Sequence, residues 1–139
     1  MFQKILVPYD GSSFSDKALQ VAIDMAKSYG EELLVLNVTP IPGVTVSAAM
    51  DIAMAAQVNV DSNDIIEQAK AIVGNADIKI DYIISMGNAA KTILNVAMEQ
   101  KCGLIVMGNR GLTGLSELLM GSVSSKVVQL AKVPVMVVK

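Results

Sequence analysis

With 139 residues, 53% of them apolar and 17% charged, the chain suits one domain over residues 1–139 with a large aliphatic core, and is short for two. A net charge of −2 with no run of Lys or Arg excludes a surface built for duplex nucleic acid, and 4% aromatics leave little for stacking single strands. Histidine is absent and cysteine occurs once, which removes the commonest general base, every Ser-His-Asp or Cys-His arrangement, a zinc site and an intramolecular disulfide.

The first strand is predicted over "KILVPY" (4–9), an apolar run with a β-branched centre. In "SSFSDKALQVAIDMAKSYG", Ala18, Leu19, Ala22, Ile23, Ala26 and Tyr29 fall on one helical face; Ser13 with Asp16 offers a capping box and Gly30 a C-terminal stop. A second strand follows in "ELLVLNV" (32–38). Pro40, Pro42 and Gly43 then break the chain, and from there to Val60 only Asp51 is charged. This stretch reads as a loop leading into a buried helix face, with a lid over a cleft as the alternative.

Further helices are expected over 51–73, 89–100 and 122–132, and further strands over 78–84, 103–108 and 133–138. Gly87-Asn88 is placed to cap the third helix, and Cys102, ahead of an apolar strand, reads as a buried structural thiol. Near-continuous Val, Ile and Leu implies strands covered on both faces. The βαβ alternation predicts a doubly wound α/β fold, a five-stranded parallel sheet in the order 3-2-1-4-5 with helices on both faces. No segment reaches the roughly 18 apolar residues of a spanning helix. The opening "MFQKILVPYD" does not read as a signal peptide, so a cytoplasmic chain without a membrane partner is expected.

In the predicted order the first and fourth strands are neighbours, and ligands of such sheets bind beyond their carboxyl ends. Two loops there carry suitable residues, "PYDGSS" and "GNRGLTG". In "VMGNRGLTGLSELLMGSVSSKVV", Gly108 and Gly111 give close approach of backbone, while Gly121-Ser122 opens a helix whose first-turn amides and dipole favour an anion. Arg110 supplies a cation, and Lys126 is a weaker candidate. Spacing alone leaves two readings equal, a phosphate cradle or ordinary turn glycines with Ser122 as N-cap. There is neither G-x-x-x-x-G-K-[ST] nor G-x-G-x-x-G. "IISMGN" also lacks the acidic phosphoacceptor that a receiver domain carries after its third strand.

Gly108-x-x-Gly111, nine residues, then Gly121-Ser122 resembles the G-2x-G-9x-G-[ST] motif of the universal stress protein family. "KILVPYDGSSFSDKAL", "MGNRG" and "VPVMVVK" extend the resemblance over essentially the whole chain. It implies the subgroup that binds ATP, often with a divalent cation such as Mg²⁺ held on the phosphates, with AMP or ADP left open. Carried over by position, Pro8, Tyr9 and Asp10 would border adenine and ribose, and the backbone of Val38 would meet the adenine edge. Met107, Gly108, Arg110 and Gly111 would line ribose and phosphates. Gly121, Ser122, Val123 and Ser124 would complete the cradle.

The resemblance further implies a homodimer. The strand at 133–138 fits, because Pro134 favours an edge and the apolar groups on both faces of that edge need cover. A nucleotide-dependent sensor or regulator of the stress response is the expected function, with unknown protein partners. The alternatives are a slow ATPase or an enzyme phosphorylating Ser122 or Ser124, and a dimeric interaction protein needing no nucleotide. No general base is evident, so no catalytic residue is assigned and fast turnover is not expected.

Overall fold

A computed structural model describes residues 2–41, 62–110 and 120–139. The elements run β1 (Lys4–Pro8), α1 (Ser13–Tyr29), β2 (Glu32–Thr39), α2 (Ser62–Val73), β3 (Ile80–Met86), α3 (Ala89–Glu99), β4 (Leu104–Gly108), α4 (Ser122–Leu130) and β5 (Val135–Val138). All five strands are parallel, in the order β3-β2-β1-β4-β5. Helices lie on both faces, as the alternating pattern predicts.

The central strands show why the apolar runs are continuous. Ile5, Val7, Leu33, Val35, Leu104 and Val106 point into one core with α1 and α2. Leu6, Leu34, Leu36, Ile105 and Met107 point into the other, with α3 and α4. Alternate residues of a strand face opposite ways, so a strand buried on both sides can hold no polar face. Every residue of β4 is buried.

Helix ends differ from expectation in one place. α1 is capped by Ser12, whose hydroxyl accepts from the Ser15 amide at 3.1 Å, and not by a Ser13–Asp16 box. The Asp16 carboxylate is engaged elsewhere, as described below. Gly30 closes α1 in the left-handed conformation at φ 69°, and Asn88 caps α3 through its side chain to the Lys91 amide. The helix expected over 51–73 is seen as α2 from Ser62; its first part, the stretch at 42–60 and Gly111 lie outside the described residues.

Candidate functional site

The switch in strand order falls between β1 and β4, whose carboxyl ends lie side by side. The chain leaves β1 through Tyr9 and Asp10, and the Asp10 carboxylate accepts the Ser12 amide at 2.9 Å, fixing the turn into α1. Tyr9 itself is directed inward and is 2% exposed. Its hydroxyl donates to Asp16 Oδ1 at 2.5 Å, and Gln68 of α2 donates to the same oxygen and to the Gly11 carbonyl, each at 3.1 Å. Burial first, then the bond to Asp16, pushes the Tyr9 hydroxyl above its ordinary pKa of 10.0. The Tyr9 side chain is thus taken up inside the fold, while Asp10 is half-buried.

Asn37 is a residue the sequence reading did not select. It lies on β2, is 1% exposed, and its amide donates to the Tyr9 carbonyl at 2.9 Å. The Tyr9 amide donates to the Leu36 carbonyl at 2.8 Å, so β2 holds the first residue beyond β1 from two sides. A polar residue inside "ELLVLNV" was the available signal. Val38, the next residue, is half-buried against the α3–α4 core and pairs in register with Ser85 of β3.

At the end of β4, Gly108 is buried, and a Cβ on it would meet the main chain of Phe14 at 2.8 Å. Its bare Cα thus admits the first turn of α1. Met107 is 5% exposed in the α3–α4 core. The Arg110 guanidinium stands over the Phe14 ring, 4.5 Å from its centroid. The Asn109 carbonyl then closes the loop, accepting the Gly121 amide and the Ser124 hydroxyl, both at 2.8 Å.

These bonds set the start of α4. Gly121 is its N-cap in extended conformation and contributes no side-chain cap. The first-turn amides of Ser122, Val123 and Ser124 find no acceptor among the described residues. Ser122 is exposed, whereas Ser124 is 2% exposed with its hydroxyl turned to Asn109. Such an end has the donors and the positive dipole that receive an anion. The structure thus brings Pro8, Tyr9, Asp10, Gly108, Arg110 and Gly121–Ser124 to one end of β1 and β4.

The profile of the universal stress protein family matches residues 1–139. The chain belongs to that family. Among its members, YxiE of Bacillus subtilis is 38% identical over the full length of both chains. The solved structure of MJ0577, a universal stress protein of Methanocaldococcus jannaschii, superposes on all of this chain and 96% of its own with a TM-score of 0.82 and 27% identity. A universal stress protein crystallised in complex with cAMP covers 99% of this chain and 97% of its own, at a TM-score of 0.76 and 25% identity. Among the described residues no helix is long and apolar enough to cross a membrane, and no three His, Cys, Asp or Glu side chains gather as a metal site.

Proposed function

We propose that this universal stress protein binds an adenine nucleotide, ATP with Mg²⁺, where β1 and β4 end, and acts as a nucleotide-dependent regulator in the stress response. The observation that carries the reading is the start of α4, an N-cap without a side-chain cap followed by amides with no acceptor among the described residues. The phosphates would lie on Gly121–Ser124, with Gly108, Gly111 and Arg110 alongside. Pro8, the Tyr9 main chain, Asp10, the Val38 backbone and Met107 would border the nucleoside. A related universal stress protein taken in complex with cAMP supports an adenine nucleotide. The donor set is amides and hydroxyls, so Mg²⁺ would be held by phosphate oxygens, where it would neutralise their charge. We further propose that the chain is a single cytoplasmic domain that pairs through β5 into a homodimer.

Titration calorimetry with Mg-ATP, AMP and cAMP tests this, with Ser122→Asp alongside. A carboxylate in the first turn stabilises a helix by about 0.3–1 kcal/mol but repels phosphate. The expected result is one nucleotide per chain, lost in a variant that melts no earlier than the parent. Equal affinity in the variant would remove α4 from the phosphate site. No binding by nucleotide-free protein would leave a nucleotide-independent dimer as the better reading.

A further inference from the structure

A cavity of about 360 Å³ lies between the end of α3 and the end of α4, within the range of roughly 300–1,000 Å³ common for small-ligand sites. Cys102 and Ile105 belong to its lining, 4% and 0% exposed. Both stand at the amino end of β4, so the cavity opens at the opposite end of the sheet from the cleft just described. Leu94 and Met98 line it from α3, and Leu130 from α4. Met98 and Leu130 are 66% and 61% exposed, two large apolar groups left facing water beside a hollow.

The charges bordering this cavity share one sign. Among the described residues Lys101 and Lys132 line it and no Asp or Glu does, on a chain whose net charge is −2. Lys101 sits where α3 ends, with the Cys102 amide bonded back to the Ala97 carbonyl at 2.9 Å. It holds φ 55°, the left-handed conformation that glycine adopts more readily at this position of a helix end. The turn therefore places a long cationic side chain at the mouth of an apolar hollow. No bidentate donor fork is present, so recognition of the head is by charge, and recognition of the body is by aliphatic area.

We propose that this cavity is a second ligand site and that it takes a small anionic amphiphile, an alkyl chain ending in a carboxylate. The chain would lie between Met98 and Leu130 over Cys102 and Ile105, and the carboxylate would pair with Lys101 and Lys132. The site is independent of the nucleotide reading and survives its failure.

The full chain, labelled at its methionine methyl groups, is titrated with decanoate below its micelle concentration and followed by NMR. A saturable shift of Met98 is expected, larger than that of Met136 or Met120, with 1-decanol binding more weakly. Lys101→Glu with Lys132→Glu is expected to weaken decanoate about ten-fold, since two exposed attractions become repulsions, and to leave decanol unchanged. Ala97→Phe, which fills the hollow, is expected to abolish both. No saturable shift at Met98, equal affinity in the charge-reversed chain, or binding spread over all methionines would overturn the proposal.

Discussion

Gly108 lies against Phe14 so closely that a Cβ on the glycine would stand 2.8 Å from both the carbonyl carbon and the Cβ of Phe14. Neither atom is the far end of a flexible side chain; one is the main chain of α1 itself. Gly108→Ala is therefore expected to shift the helix and cost about 1–3 kcal/mol. Urea unfolding measures it. An unchanged midpoint would mean that α1 yields freely and that packing is not why a glycine stands there.

The amide of Asn37 carries a second expectation. Asn37→Leu keeps the volume but leaves the Tyr9 carbonyl without its side-chain donor, at a cost of about 1–3 kcal/mol. The loop after β1 should loosen with it. Faster hydrogen exchange at Ser12, whose amide is held by Asp10, would report that loosening; unchanged exchange and stability would take Asn37 out of the site's support.

Most of the fold was legible because the central strands are buried on both faces, although the edge strands β3 and β5 are not. Ile5 to Val7 and Leu104 to Met107 are unbroken apolar runs, and the connecting helices keep a clear apolar face. Legibility failed where a residue's partner is distant in sequence. Ser13 and Asp16 have capping-box spacing, but the Asp16 carboxylate is taken by the Tyr9 hydroxyl and by Gln68, 52 positions away. Asn37 stood out as polar, yet only the sheet shows that Tyr9 is its acceptor. Gly108 was selected for its spacing within a motif, and Phe14 adds a packing reason that spacing does not contain.

Alkaline pH should act through Tyr9. In the unfolded chain its hydroxyl ionises near 10.0, whereas in the fold burial and Asp16 keep it protonated to higher pH. Its contribution is complete below that unfolded value and is lost as pH rises through the folded one. Tyr82 and Cys102 are raised too, both chiefly by burial, so some decline will remain without Tyr9. Tyr9→Phe is expected to flatten the decline above about pH 10 by up to about 1.4 kcal/mol per unit. Parallel declines in the two proteins would contradict it.

The open edge of β5 offers a test of the proposed dimer. Ile105 and Asn109 donate to the carbonyls of Pro134 and Val138, at 3.0 and 2.8 Å, so alternation along the strand turns the main-chain groups of Val135 and Val137 outward. Val137→Pro would delete an outward N–H and leave the ladder with β4 intact. Sedimentation velocity should then find a folded monomer. A persistent dimer would move the interface elsewhere.

Finally, the bond from Gly121 to the Asn109 carbonyl works as a buckle. The Asn109 carbonyl, one residue beyond β4, receives both Gly121 and Ser124, so the start of α4 is fastened directly to the end of the sheet. Any slip of β4 along its length therefore carries the start of α4 with it.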